Sequence, residues 1–177
     1  MKDLKGKVVL VTGGSTGIGA AAARAFASQG ARTMIHYNAS RDAAAALAAE
    51  IEGAGGEAQM ISGDVTDLAN VSHIVEQTVQ KLGRLDILVN NVGSLVKRTP
   101  VADYSIDLID EVLNINVRQL VWFVREAAVV MRRQGGGNII NTTSIAARNG
   151  GGPGSVLYAA SKGFVSTATR GWARELA

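Results

Sequence analysis

Cysteine is absent from this sequence of 177 residues, and histidine occurs only 2 times. Without a thiol the chain can form no disulfide, no thiolate nucleophile and no cysteine-ligated metal site. The two histidines, His36 and His73, lie far apart in the sequence and have little support from carboxylates. We therefore expect no histidine-based metal site either.

A strong excess of one charge and a long apolar run are also missing. The 18 lysines and arginines exceed the 15 aspartates and glutamates by only 3, and they are scattered along the chain. This pattern excludes the basic stripe that would follow a nucleic-acid backbone. No apolar run approaches the ~20 residues that span a bilayer, and the polar opening MKDLKGK is unlike a secretory signal. We expect a cytoplasmic protein that binds neither nucleic acid nor a membrane.

The sequence does contain short apolar runs that alternate with longer helical stretches. Continuous apolar strands separated by helices are typical of a parallel sheet covered by helices on both faces. The predicted fold class is therefore α/β, with a doubly wound parallel sheet in a single domain over residues 1–177. The expected strands are 7–12, 32–37, 57–65, 85–93 and 135–144; the expected helices are 17–30, 40–56, 66–82, about 105–133, and a last one after a loop at 148–155.

The segment VTGGSTGIGA lies between the first strand and the first helix, where a phosphate-binding turn belongs. Gly13, Gly17 and Gly19 allow the backbone to approach a ligand closely, and the helix N-terminus favours a pyrophosphate. A P-loop is the obvious alternative. It is excluded because Ala20 and Ala21 stand where lysine and serine or threonine would contact phosphate and magnesium.

Tyr158 stands four residues before Lys162, a spacing that makes their side chains neighbours on a helix. One interpretation is ordinary packing, with the lysine extending its ammonium to solvent. The other is a proton-transfer site, in which the nearby cation favours the ionised form of the phenol. The pair alone leaves both interpretations open.

Several motifs in the expected order together resemble the short-chain dehydrogenase/reductase family, and within it most closely the 3-oxoacyl-(acyl-carrier-protein) reductase group. The resemblance covers essentially the whole chain. The Asn-Asn-Ala-Gly motif of the family is present with valine in place of alanine. The matching residues are Thr12-Gly13…Gly17…Gly19, Asp64-Val65, Asn90-Asn91-Val92-Gly93, Asn116, Ser144 and Tyr158…Lys162.

The resemblance implies roles for four catalytic residues. Tyr158 would be the general acid/base at the carbonyl or alcohol oxygen, and Ser144 would donate a hydrogen bond to that oxygen. Lys162 would hold the hydroxyls of the nicotinamide ribose and act electrostatically on the tyrosine. Asn116 would position a water that links Lys162 to solvent.

The resemblance also implies a nicotinamide dinucleotide cofactor. NAD-selective sites carry an acid at the end of the second strand. Here that tip reads His36-Tyr37-Asn38, and Arg41 could pair with a 2′-phosphate. Asp42 is the counter-argument, although we expect it in the first turn of a helix. We predict NADP(H), with NAD(H) as the alternative, bound by Thr12, Gly13, Ser15, Thr16, Gly17, Ile18, Gly19, Tyr37, Asn38, Arg41, Asp64, Val65, Asn90, Val92, Gly93, Tyr158 and Lys162.

The predicted function is hydride transfer between this cofactor and a small-molecule carbonyl or secondary alcohol, possibly of the 3-oxoacyl type. The alternatives are a non-catalytic dinucleotide-binding scaffold and an inactive truncated fragment. The helix at about 105–133 and the helix of Tyr158 resemble the family's dimer-forming pair, so we expect a homodimer or homotetramer. Apolar surface for this interface would come from Trp122, Phe123, Phe164 and Trp172.

The end of the sequence carries one further expectation. Family members continue beyond the helix of Tyr158 through additional strands and a substrate-covering segment. We therefore expect a Rossmann-type sheet of order 3-2-1-4-5 that lacks its sixth and seventh strands, in a domain incomplete at the C-terminus. The fifth strand would then be an edge.

Overall fold

Five short strands form a parallel sheet in the order β3-β2-β1-β4-β5, in a computed structural model that describes residues 4–177. The predicted α/β class and strand order are thus confirmed. The first three residues of the polar opening segment lie outside the described residues. The strands are β1 (Val8–Val11), β2 (Arg32–Tyr37), β3 (Glu57–Ser62), β4 (Ile87–Asn90) and β5 (Asn138–Asn141).

The described part of the chain contains seven α-helices. They are α1 (Gly17–Ser28), α2 (Arg41–Gly53), α3 (Leu68–Leu82), α4 (Ile106–Leu113), α5 (Gln119–Arg133), α6 (Ala146–Asn149) and α7 (Val156–Glu175), with a 3₁₀ turn at Val101–Asp103 and a π-helical segment at Asn114–Arg118. None of them combines the length and apolar character needed to cross a membrane.

Strand β1 is the centre of the sheet because all four of its residues are apolar and fully buried. Its neighbours are set in register by Leu10, which lies beside Met34 of β2 and Leu88 of β4. Residues buried on both faces are what a parallel sheet with helices on either side requires. The carboxyl end of β1 is therefore fixed, and the glycine-rich turn begins there.

The helix expected at about 105–133 is confirmed as one continuous helical stretch from Ile106 to Arg133. A π-helical segment at Asn114–Arg118 separates α4 from α5. A wider turn leaves backbone carbonyls poorly paired. Here two side chains compensate, because the amide of Asn116 donates to Val112 O at 3.1 Å and that of Gln119 donates to Ile115 O at 3.1 Å.

The loop expected at 148–155 begins later than predicted. Helix α6 occupies Ala146–Asn149 and ends at Gly150, whose φ of +79° is the left-handed conformation typical of a helix end. The irregular segment that remains runs to Ser155, immediately before α7.

The chain forms two compact units by its internal contacts. Unit 1 is the described part of Met1–Asn91 together with Trp122–Ile140, and unit 2 is Val92–Val121 together with Asn141–Ala177. Unit 1 contains β1 to β4 and α1 to α3. Unit 2 contains α4, the π-helical segment, α6 and α7.

One of the four aromatic residues expected at an interface is not available for it. Phe123 is fully buried, on the same face of α5 as the buried Ala127. The indole of Trp122 donates to the hydroxyl of Ser72 at 2.9 Å, within unit 1. Phe164 of α7, by contrast, is 42% exposed. The sequence pattern could not separate these cases because neighbouring apolar residues on a helix point to different faces.

Candidate active site

Lys162 is a buried ammonium group in unit 2. Its side chain is only 3% exposed, and burial lowers its pKa below the ordinary lysine value. Nζ donates to the carbonyl oxygen of Thr142 at 3.0 Å and lies 6.0 Å from the ring centroid of Tyr158. A lysine that merely packs on a helix surface keeps its ammonium in water. That interpretation of the pair is therefore wrong.

Asn116 is fully buried and ties the segment after β4 to the π-helical segment. Its Oδ1 accepts from the backbone N–H of Ser94 at 3.0 Å, and its Nδ2 donates to Ser94 O at 2.8 Å and to Val112 O at 3.1 Å. Both amide protons are therefore used within the protein. Asn116 lies within the π-helical turn, and no periodic pattern in the sequence indicates that turn.

Gly93 packs against both of these residues. A Cβ added at this position would lie 2.8 Å from Lys162 Nζ and 2.9 Å from Asn116 Oδ1. Distances this short are not tolerated by real side chains. The last residue of the Asn-Asn-Val-Gly motif is thus a glycine because two buried side chains occupy the space that a larger residue would need.

Ser144 lies in the turn between β5 and α6. Its Oγ accepts from the backbone N–H of Ala146 at 3.2 Å, which leaves its own O–H able to donate. The preceding residue, Thr143, donates from Oγ1 to the carbonyl of Lys162 at 3.0 Å. This bond fixes the Ser144 turn to helix α7, which also carries Tyr158.

Tyr158 lines a cavity of about 490 Å³ within unit 2. This volume suits a small organic molecule. A phenol that faces a cavity and has a buried ammonium nearby can exchange a proton with a bound oxygen atom. The other lining residues are Gly93, Ser94, Leu95, Arg98, Ile145, Ala146, Asn149, Gly151, Gly152 and Ser155.

The predicted phosphate-binding turn lies in unit 1, after β1. Gly13 and Gly17 have φ values of +59° and +53°, which side-chain-bearing residues rarely adopt. A Cβ at Gly19 would lie 2.2 Å from Gly13 O, so the turn closes on itself there. A Cβ at Gly17 would have no atom within 4 Å and would extend into open space. The next residue, Ile18, is 72% exposed.

The first turn of α1 fits the diphosphate of a dinucleotide. Thr16 occupies the N-cap position without a side-chain hydrogen bond to the helix, and no acidic residue lies in the first turn. The backbone N–H groups at this helix end are therefore not taken by a side-chain cap, and no carboxylate would repel an anion. Ser15, half-buried, is the remaining predicted residue of this turn.

Thr12 and Asn91 join the ends of β1 and β4. Thr12 is fully buried, and its Oγ1 accepts from the backbone N–H of Asn91 at 2.9 Å. The amide of Asn91 donates to Thr12 O and to Gly13 O, both at 3.1 Å. Asn91 thus satisfies backbone groups at the ends of two neighbouring strands. Asn90 itself is 1% exposed at the end of β4, and Val92 is half-buried.

His36 supports the glycine-rich turn, a role that the sequence analysis missed. The imidazole is 1% exposed; its Nδ1 accepts from the N–H of Gly13 at 3.0 Å, and Nε2 lies 2.9 Å from Gly63 O. These partners require the neutral tautomer with the proton on Nε2. Burial accordingly lowers the pKa of His36, while the bond to Gly63 O and the charge of Asp64 oppose this shift. His73, by contrast, is exposed.

The residues predicted to select between NADP(H) and NAD(H) lie at the end of β2 and at the start of α2. Arg41 is the first residue of α2, and Asp42 is in its first turn, as expected. Arg41 is exposed and forms no ion pair with the described residues. Tyr37 and Asn38 at the end of β2 contribute no carboxylate. After β3, the Asp64 carboxylate accepts from the backbone N–H and the hydroxyl of Thr66, which lowers its pKa, and Val65 is buried.

Comparison with known families shows what this arrangement is similar to. Residues 7–177 match the short chain dehydrogenase family. The 3-oxoacyl-(acyl-carrier-protein) reductase of Thermotoga maritima is 38% identical over 178 residues, which cover 98% of this chain and 70% of that protein. The hydroxynaphthalene reductase of Aspergillus fumigatus is 38% identical over 94% of this chain and 60% of its own length.

Solved structures with the same fold include complexes with both nicotinamide cofactors. The NADH-dependent reductase A1-R′ in complex with NAD has a TM-score of 0.94 at 32% identity, covering 98% of this chain and 74% of that chain. A short chain dehydrogenase from Burkholderia cenocepacia in complex with NADP has a TM-score of 0.90 at 40% identity, covering 98% of this chain and 69% of that chain.

The buried imidazole makes the stability of the protein dependent on pH. The pKa of His36 is lower in the folded than in the unfolded protein, so the unfolded chain takes up the proton first as the pH falls. Stability is therefore full above the unfolded value of ~6.5 and declines below it. We expect the free energy of urea unfolding to fall between pH 7.5 and 5.5 in the wild type.

The chain offers a matched control for this measurement, because it has only 2 histidines. The His73→Gln variant should keep the decline with pH, whereas His36→Asn should lose most of it and be less stable at every pH. An unchanged decline in His36→Asn would show that another group is responsible.

Gly93→Ala should destabilise the protein by about 1–3 kcal/mol, the usual cost of forcing extra volume into packed groups. The added methyl group would displace Lys162 Nζ or Asn116 Oδ1. Gly163→Ala is the matched control, because Gly163 lies inside α7 and its added Cβ meets no atom within 4 Å. It should stabilise the protein by about 0.5–1 kcal/mol. Urea unfolding measures both, and equal effects of the two substitutions would contradict the packing described.

Proposed function

This chain belongs to the short chain dehydrogenase family, and we propose that it transfers a hydride between NADP(H) and the carbonyl or secondary alcohol of a small molecule. The family consists of oxidoreductases that act on CH–OH and C=O groups with NAD(H) or NADP(H), so the predicted enzyme class is confirmed at the level of family. The observation that carries the proposal is the buried ammonium of Lys162 beside Tyr158, which lines a cavity.

The proposed chemistry uses the side chains of unit 2. When bound, the reduced nicotinamide supplies a hydride to the carbonyl carbon. Tyr158 gives its phenolic proton to the carbonyl oxygen, and the hydroxyl of Ser144 donates a hydrogen bond to the same oxygen as negative charge develops there. The positive charge of Lys162 stabilises the phenolate that remains. Oxidation of an alcohol runs through the same groups in reverse.

Two further roles in the proposal follow from the family resemblance. Lys162 holds the hydroxyls of the nicotinamide ribose, and Asn116 places a water that returns protons to Lys162. The contacts of Asn116 with Ser94 and Val112 favour a second function as well, since they keep the segment after Gly93 in place. Asn116 has no amide proton to spare for that water, which would bind to Oδ1 instead.

For the cofactor, we propose NADP(H) over NAD(H). The proposal rests on residues of this chain, because the similar structures include an NAD complex and an NADP complex. Arg41 is exposed, forms no ion pair within residues 4–177 and can pair with a 2′-phosphate. The end of β2 carries no acid that would select the 2′-hydroxyl of NAD.

The finer parts of the proposal concern substrate and assembly. A 3-oxoacyl-type substrate is supported by the similarity to the Thermotoga maritima reductase. A homodimer or homotetramer is supported by apolar side chains of unit 2 that are exposed to solvent, among them Ile106 at 74%, Val156 at 49% and Phe164 at 42% exposed.

We further propose that the protein acts in the cytoplasm, because its sequence has no cysteine to benefit from an oxidising compartment.

Tyr158→Phe should lower kcat by at least ~100-fold, the usual contribution of a positioned acid or base. Only a hydroxyl is removed, so the dissociation constant of the cofactor should change little. Tyr104→Phe is the matched control, because the Tyr104 hydroxyl is buried without a hydrogen-bond partner among residues 4–177 and should not be needed for turnover. Steady-state kinetics and cofactor titration test both variants. Wild-type turnover in Tyr158→Phe would refute the role of the phenol.

Arg41→Ala should weaken NADPH binding by about 10-fold, the typical loss of a charge-assisted hydrogen bond. NADH lacks the 2′-phosphate, so its dissociation constant should not change and serves as the internal control. Fluorescence titration of both cofactors measures the effect. A wild-type protein that binds NADH as tightly as NADPH would contradict the proposed preference.

A further inference from the structure

The cavity lined by Tyr158 contains one charged side chain. Of its lining residues, Arg98 alone carries a charge, and no aspartate or glutamate is among them. Arg98 Nη1 donates to the carbonyl oxygen of Pro153 at 2.9 Å. No ion pair neutralises Arg98 in the described part of the chain. The guanidinium has five N–H donors, so most of its hydrogen-bonding capacity is available to a molecule in the cavity.

The glycine-rich segment before α7 packs against Arg98 and the residue that follows it. A Cβ at Gly152 would lie 3.5 Å from Arg98 Nη1, and one at Gly154 would lie 2.9 Å from the backbone nitrogen of Thr99. Gly154 also has a φ of +75°. Its carbonyl accepts from Thr99 N–H at 2.9 Å. Gly154 therefore allows the segment before α7 to approach the backbone at Arg98 and Thr99 closely, whereas Gly152 makes only an ordinary contact with the exposed guanidinium.

The segment that carries Arg98 is also fixed at its other end. Ser94 is held by Asn116, and the Ser94 hydroxyl accepts from the N–H of Val96 at 2.9 Å. Val96 has a φ of +63°, a genuine outlier for a β-branched residue. Strain of this kind persists where the surrounding contacts over-determine the backbone, and it is found preferentially at ligand-binding positions.

From these contacts we propose that Arg98 is a specificity-determining residue that binds the carboxylate of an oxo acid while the carbonyl of the same molecule faces Tyr158. The proposal rests on the proposed hydride transfer, and it takes a free oxo acid in place of the 3-oxoacyl thioester as the substrate class. A guanidinium presents a planar pair of donors that matches a carboxylate. Arg98 is exposed, so beside a neutral ketone its guanidinium would be solvated by water, whereas a carboxylate would form an ion pair with it. The site is therefore expected to favour an acid over its ester.

The test is a series of oxo acids with one to four carbons between the carbonyl and the carboxylate, each compared with its methyl ester. For at least one chain length, wild-type kcat/KM should be about 10- to 100-fold higher for the acid, as expected for hydrogen bonds to a charged group. Arg98→Gln should abolish this preference by lowering kcat/KM for the acid far more than kcat/KM for the ester. Arg98→Lys should retain part of it. Lys97→Gln is the matched control, because Lys97 is exposed and does not line the cavity, and it should behave as wild type.

Two results would overturn the inference and leave the proposed function intact. One is turnover without preference for any acid over its ester. The other is an equal loss of kcat/KM for the acid and for the ester in Arg98→Gln, which would show that Arg98 has a purely structural role. A higher kcat/KM for an oxo phosphate ester than for every acid would overturn the assignment of the anion as a carboxylate.

A lack of turnover with every carbonyl compound would contradict the proposed function instead. Calorimetric titration of the same acids and esters into wild-type protein and Arg98→Gln then decides the inference separately. Tighter binding of an acid that depends on Arg98 supports it, and equal binding of acid and ester refutes it.

Discussion

The ammonium group of Lys162 is buried, and residues of unit 2 from three segments pack against this lysine. Burying a cation without partners is costly, yet no carboxylate of the described residues pairs with it. A single carbonyl, Thr142 O at 3.0 Å, is its hydrogen-bond acceptor. Gly93 has no side chain because this ammonium occupies the space, and Thr143 ties the neighbouring turn to the carbonyl of Lys162 itself. An ammonium group with so few partners lowers the stability of the folded protein. Perturbed groups in clefts concentrate at functional sites, so this cost supports the catalytic role proposed for Lys162.

Unit 1 holds the glycine-rich turn in one conformation. Gly13 and Gly17 adopt left-handed conformations that glycine reaches without steric cost. His36 of β2 and Asn91 after β4, from the strands on either side of β1, hold the turn through bonds to Gly13 N–H and to Gly13 O. A neutral, buried imidazole is suited to this task because one of its nitrogens accepts while the other donates. The proposed diphosphate would bind to a turn that is already held in place.

The fold could be predicted from the sequence because its signals are local and repeated. Continuous apolar strands predicted the parallel sheet, and Gly83, for example, marked the end of α3 with a φ of +82°. The π-helical segment could not be predicted, since it depends on the amides of Asn116 and Gln119 finding carbonyls four residues back. His36 and Arg98 were missed for a related reason. Their partners, Gly63 and Pro153, lie 27 and 55 residues away, and no periodic pattern brings such pairs together.

If unit 2 keeps a desolvated lysine beside a phenol for proton transfer, an NMR titration of the protein with ¹³C-labelled lysine should reveal it, with Lys162 assigned from the Lys162→Met spectrum. We expect the pKa of Lys162 to lie below the ordinary lysine value because its ammonium is buried. Gly93→Ala should shift this resonance, whereas Gly163→Ala should not. A Lys162 that titrates with the exposed lysines, near ~10.4, would show that its ammonium is not desolvated.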